Sequence, residues 1–125
     1  MNTQARVLVA DDDRTIRRNL VLLLRSEGYE TLEAADGREA LAHIAGEAPD
    51  AVLLDLKMPG RDGLEVLAEL GPKLADLPVI VVTALDDEQT RRRGQELGAD
   101  AYLTKPFRPD ALVAELHGVM ADATA

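Results

Sequence analysis

Cysteine is absent from the 125 residues, so disulfides and thiolate metal sites are excluded. Aromatic side chains are nearly absent as well: two tyrosines, one phenylalanine and no tryptophan leave the core to Val, Leu, Ile and Ala. The charge balance lacks a basic excess. Lys and Arg number 14 against 23 acids, a formal charge of -9, which disfavours a direct grip on nucleic acid or anionic lipid. No apolar run approaches the roughly 20 residues of a membrane span, and Met1 to Arg6 lacks a basic segment followed by an apolar signal core. A cytoplasmic chain with no direct membrane contact is expected. Its length suits one domain, residues 1–125 with a core at about 6–121, large enough to close a hydrophobic interior.

Three short apolar runs, Val7-Leu8-Val9-Ala10, Ala51-Val52-Leu53-Leu54 and Val79-Ile80-Val81-Val82, are bounded by polar residues. Such runs read as strands buried on both faces. Tyr29 to Ala34 and Ala101 to Thr104 supply two further strands. Between them lie amphipathic stretches, the clearest from Arg14 to Glu27, where Ile16, Leu20, Leu23 and Leu24 share a face and Gly28 follows as the stop. Asp36 with Glu39, Asp62 with Glu65 and Asp86 with Gln89 mark three helix starts by cap spacing. Gly98 ends the fourth helix, Pro109 opens the fifth, and Ala121 to Ala125 reads as a frayed tail. Asp87 to Leu97 is expected to be the least amphipathic helix, offering only Thr90, Gly94 and Leu97 inward.

Five strands alternating with five helices imply a parallel sheet with helices on both faces. The expected architecture is an α/β, flavodoxin-like, doubly wound three-layer sandwich with strand order 2-1-3-4-5. Ligands in such sheets bind beyond the carboxyl ends of the strands, where strand order reverses. The residues at those ends are Asp11, Asp12 and Asp13 after the first strand, Asp55 after the third, Thr83 after the fourth and Lys105 after the fifth. Two carboxylates about 4 Å apart repel by roughly 4 kcal/mol at an effective dielectric of about 20, so the cluster calls for a cation. All-oxygen ligands suit magnesium, which is usually held by one or two carboxylates together with phosphate oxygens. A phosphoryl-transfer site also needs an attacking carboxylate, a lysine ammonium and a hydroxyl donor; Asp55, Lys105 and Thr83 fill these roles. Asp13, next to the first helix, is better placed as its cap.

Several other residues carry less chemistry. His43 and His117 fall within helices away from the strand ends and read as surface or boundary residues. Arg91, Arg92 and Arg93 form the one basic run, but consecutive helical residues point about 100° apart, so a solvated helix surface is expected.

From Arg6 to Leu116 the sequence resembles the receiver domain of bacterial response regulators. The resemblance is carried by Val7 to Asp13, Leu53-Leu54-Asp55-Leu56-Lys57-Met58-Pro59-Gly60, Asp62-Gly63-Leu64, Val81-Val82-Thr83-Ala84, Gly98 to Tyr102 and Lys105-Pro106-Phe107. It implies that Asp55 accepts phosphate from the phosphohistidine of a sensor histidine kinase or phosphotransfer protein. Magnesium would be ligated directly by Asp12 and Asp55, mainly through water by Asp11, and by the Lys57 carbonyl. It further implies a cis bond between Lys105 and Pro106, a switch surface formed by the fourth helix, fifth strand and fifth helix with Thr83 and Tyr102 as the coupling pair, and a downstream effector as output. Such a domain catalyses its own phosphorylation and dephosphorylation without being a turnover enzyme.

Two alternatives belong to other classes. Asp11, Asp13 and Thr15 follow the Asp-x-Asp-x-Thr pattern of aspartate-nucleophile phosphatases of the haloacid dehalogenase type, although that reading leaves Asp55 without a task. A pseudo-receiver signalling without phosphate is opposed by the complete set of acids, threonine and lysine.

Overall fold

A computed structural model describes residues 5–124, with side chains to residue 120. Five strands and five α-helices alternate among these residues: β1 (Arg6–Ala10), α1 (Arg14–Ser26), β2 (Glu30–Ala34), α2 (Gly37–Glu47), β3 (Ala51–Leu54), α3 (Gly63–Leu70), β4 (Val79–Thr83), α4 (Glu88–Glu96), β5 (Ala101–Thr104) and α5 (Pro109–Thr124). A short 3-10 segment, Gly71–Asp76, follows α3. All strand pairs are parallel in the order β2-β1-β3-β4-β5, as expected.

Alternation along each strand divides the core into two halves. Leu8, Val52, Leu54, Val79 and Val81 pack with Ala40 of α2 and with Val66, Leu67 and Leu70 of α3. Val7, Val9, Leu53, Ile80 and Val82 face Leu20, Val21 and Leu24 of α1 and Leu112 and Leu116 of α5. Both faces of the central strands are therefore dry, which is why those strands read as unbroken apolar runs.

The caps explain where the helices begin. Asp13, Asp36 and Asp62 each accept the N–H three residues on, and Asp62 with Glu65 forms a reciprocal capping box. At α4 the cap is Asp87 rather than Asp86. One oxygen of Asp87 accepts both the N–H and the hydroxyl of Thr90, at 3.0 and 2.7 Å, a double bond pattern that Asp86 and Gln89 cannot match. These bonds hold the Asp87 carboxyl below its usual range.

Three further details depart from expectation. Tyr29 lies outside β2, because its N–H still closes the end of α1 on the Leu24 carbonyl. Val21 joins the buried face of α1, while Ile16 and Leu23 only border it. Helix α5 continues to Thr124, through the segment expected to fray; Ala125 lies outside the described residues. Helix α4 is the most polar helix, with Gly94 its one buried residue, yet its polar and apolar sides are better separated than those of α5. No helix among the described residues is long and apolar enough to cross a membrane.

Candidate functional site

The strand ladder does not stop at the strand ends. Asp11 N–H donates to the Ala34 carbonyl of β2 at 3.0 Å, Asp55 N–H to the Ala10 carbonyl of β1 at 2.9 Å, and Lys105 N–H to the Thr83 carbonyl of β4 at 2.8 Å. Asp11, Asp55 and Lys105 are thus each set one step beyond a strand by the same bonds that pair the sheet, while Thr83 is the last residue of β4 itself. The Lys105–Pro106 peptide bond is cis.

The side chains converge. The Lys105 ammonium lies 2.7 Å from Asp11 Oδ2 and 3.0 Å from Asp55 Oδ2, bridging two carboxylates that are only 2% and 7% exposed. Asp11 Oδ1 accepts the Asp13 N–H at 2.9 Å, and Asp55 Oδ1 accepts the Lys57 N–H at 3.1 Å. Asp12 stays exposed, and carboxylate oxygens of Asp11, Asp12 and Asp55 fall within 4.8 Å of one another. Burial pushes the Asp11 carboxyl above its ordinary pKa, and the bond from Lys105 offsets that only in part. At Lys105 burial acts in the opposite direction, but the two carboxylates outweigh it and hold the ammonium above the ordinary lysine value.

Lys105 changes the electrostatic argument made from sequence. The acids are already partly neutralised: three carboxylates against one ammonium leave two formal negative charges. That residue of charge, with all-oxygen donors and one exposed acid at the mouth, fits a hydrated divalent cation such as magnesium.

Thr83 is fully buried, and its hydroxyl oxygen accepts the Leu85 N–H at 3.4 Å. The Leu85 carbonyl in turn accepts the Tyr102 hydroxyl, so Leu85 joins the two residues expected to couple. Burial holds the Tyr102 phenol above its usual pKa. Its ring packs beside Gly94, with the Arg91 guanidinium 4.7 Å from the ring centre and 3.3 Å from Thr104 Oγ1. Arg91 is therefore half-buried against β5, whereas Arg92 and Arg93 are solvated as expected.

The residues of the phosphatase pattern do not assemble. Asp13 is exposed and occupied in capping, and Thr15 is exposed too. The histidines lie elsewhere, His43 bonded to Glu47 and His117 against the Tyr29 ring. Two features escaped the sequence reading. A Cβ on Gly63 would meet the Asp55 carbonyl oxygen at 2.5 Å, so glycine alone lets α3 start against the acid's backbone. Arg17 also reaches the Asp11 carbonyl, at 2.8 Å. An arginine one turn into an amphipathic helix gives no sign of that contact in sequence.

The family model for the response regulator receiver domain matches residues 7–117. The chain belongs to that family. Among its curated relatives, a response regulator MprA from Mycolicibacterium vanbaalenii is 46% identical over 119 residues, covering 95% of this chain and 52% of that one. The chain spans about half the length of the curated relatives it matches. A CheY-like receiver domain protein from Methanospirillum hungatei superposes with a TM-score of 0.93 at 30% identity, covering 98% of both chains. A chain of the CheX-CheY-BeF3-Mg complex from Borrelia burgdorferi superposes with a TM-score of 0.86 at 29% identity, covering 92% of this chain and 88% of that one. The receiver fold, its strand order and its place in response-regulator signalling are therefore this chain's own.

Proposed function

We propose that this receiver is the phosphoacceptor of a two-component phosphorelay, with Asp55 taking a phosphoryl group from the phosphohistidine of a sensor histidine kinase or phosphotransfer protein. The observation that carries the reading is the Asp55 carboxylate itself, held by Lys105 on one oxygen and the Lys57 N–H on the other, beside the exposed Asp12. Asp11, Asp12 and Asp55, with the Lys57 carbonyl, would hold magnesium, which when bound neutralises charge on phosphoryl oxygens.

The chain's own groups do the rest. A carboxylate oxygen of Asp55 attacks phosphorus in line; an oxygen–phosphorus bond forms, the phosphorus–nitrogen bond of the donor breaks, and its electron pair stays on the imidazole. The Lys105 ammonium, already on Asp55, follows the charge onto the phosphoryl oxygens. The Thr83 oxygen accepts from Leu85, which leaves the hydroxyl proton free to donate to another phosphoryl oxygen. Water then attacks the aspartyl phosphate at phosphorus, the bond from Asp55 oxygen to phosphorus breaks and inorganic phosphate leaves with Asp55 restored as carboxylate, so the domain catalyses its own phosphorylation and dephosphorylation without turning over a separate substrate.

The signal leaves through Thr83, Leu85 and Tyr102 to the surface of α4, β5 and α5, where a downstream effector domain or protein reads it. The whole chain serves as one cytoplasmic receiver unit with its core at about residues 6–121. Acetyl phosphate with magnesium tests the reading by intact mass. One phosphoryl adduct is expected in the parent and in Asp13→Asn, and none in Asp55→Asn; specific labelling that persists in Asp55→Asn would move the acceptor elsewhere.

A further inference from the structure

Asp11 is bonded at every polar atom it has. Its N–H goes to Ala34, its Oδ1 accepts from Asp13 and its Oδ2 from Lys105. The remaining atom, the carbonyl oxygen, accepts Nη1 of Arg17 at 2.8 Å. This last bond differs in kind, because its donor is a side chain from α1 whose aim is set on another element. Arg17 Nε donates to Glu33 Oε1 on β2 at 3.1 Å, and the second Glu33 oxygen takes Nη1 of Arg18 at 2.6 Å. Arg17 is only 15% exposed and Glu33 29%, so the pair is partly shielded from water.

The Asp11 carbonyl is part of the peptide plane that joins Asp11 to Asp12, and such a plane turns as a rigid unit. Its orientation is set by ψ of Asp11 and φ of Asp12, the two backbone angles that, with the rest of Asp11 held, also set where the Asp12 side chain leaves the chain. Asp12 is the exposed member of the acidic cluster, so the packing that fixes Asp11 and Asp55 does not fix it. We infer that Arg17, aimed by Glu33, is a positioning residue: it locks the Asp11–Asp12 peptide and so keeps the Asp12 carboxylate within reach of Asp55. The inference rests on the magnesium reading of the site and extends it to two residues outside the strand-end constellation.

Lysine cannot replace Arg17, because one ammonium lacks the planar fork that serves Glu33 and the carbonyl together.

The test titrates magnesium chloride into the full chain and follows the Asp12 and Asp13 amide shifts in the parent, Arg17→Met, Arg17→Lys, Glu33→Gln and Arg25→Met. Arg25 is the control, since its Nε also ties α1 to β2, through Thr31 Oγ1 at 3.0 Å, but at the far end of the helix. Arg17→Met and Arg17→Lys should raise the half-saturating magnesium concentration about tenfold or more, the usual size for losing a group that orients a ligand. Glu33→Gln should move it the same way and add little on top of Arg17→Met, because both act through one bond. Arg25→Met should leave it at the parent value, whatever its melting temperature. Equal half-saturation in Arg17→Met and parent, or an equal rise in Arg25→Met, would overturn the inference. Should Arg17→Met fail to fold, the isosteric Glu33→Gln decides by the same criterion. A parent without magnesium-dependent shifts would overturn the magnesium reading and this inference with it, whereas a binding parent beside an unaffected Arg17→Met would overturn the inference alone.

Discussion

β1, β3 and β4 are buried along nearly their whole length, and the acids at the ends of β1 and β3 continue the sheet's hydrogen bonds. β5 is half-buried at each of its four residues, and α4 above it buries only Gly94. One end of the same sheet edge therefore holds reacting groups in a stiff frame, while on its flank β5 pairs with β4 but α4 and the loop before it add few polar ties to β5: Tyr102 to Leu85, Arg91 to Thr104, and Arg91 over the Tyr102 ring. A phosphoryl site needs preorganisation, and a response surface needs an element whose displacement costs little.

The largest expected effect is a contrast in stability. Leu54→Ala, at a fully buried position next to the acceptor, should cost about 2–5 kcal/mol in urea unfolding. Leu97→Ala, at the half-buried end of α4, should cost less than half as much, and equal losses would break the comparison.

Magnesium should act next in size, and on the stiff end only. At tenfold excess over its dissociation constant it should stabilise the parent by about 1.4 kcal/mol through mass action. Thermal melts of Asp12→Ala should show a much smaller gain. Because Lys105 already bridges Asp11 and Asp55, the unliganded protein should melt cooperatively without the ion. An equal magnesium shift in parent and Asp12→Ala would remove Asp12 from the site.

Much of this contrast is legible in the residues. The runs Val7 to Ala10, Ala51 to Leu54 and Val79 to Val82 announce buried parallel strands, and once those are placed, Asp11, Asp55, Thr83 and Lys105 must meet at one edge. Periodicity could not say which long side chain bends back onto which strand. Arg91 reads as one of three solvated arginines, yet the Tyr102 ring and the Thr104 hydroxyl draw it inward. Arg17 and Glu33 meet only because β2 lies beside β1, a neighbourhood that belongs to topology rather than to local pattern. The choice of Asp87 over Asp86 as cap depended on the Thr90 hydroxyl, a donor that cap spacing alone does not count.

The smallest effect sharpens the soft side. Tyr102→Phe removes one hydroxyl bond to the Leu85 carbonyl and should cost about 1 kcal/mol or less in unfolding, while leaving Asp55 labelling by acetyl phosphate intact. Loss of labelling in that variant would show that Tyr102 belongs to the stiff end after all.

Amide hydrogen exchange, with and without magnesium and beryllofluoride as a phosphoryl mimic, in the parent and in Thr83→Ala, tests the division between a stiff site and a soft response surface most directly. Protection of Val7 to Ala10 and Ala51 to Leu54 should rise only by the gain in global stability that the bound ligands confer, whereas protection from Asp86 to Thr104 should change by a different amount in the parent, and Thr83→Ala should bind the mimic with a weaker change there. A change from Asp86 to Thr104 no different from that global gain, or a Thr83→Ala response equal to the parent's, would contradict the division.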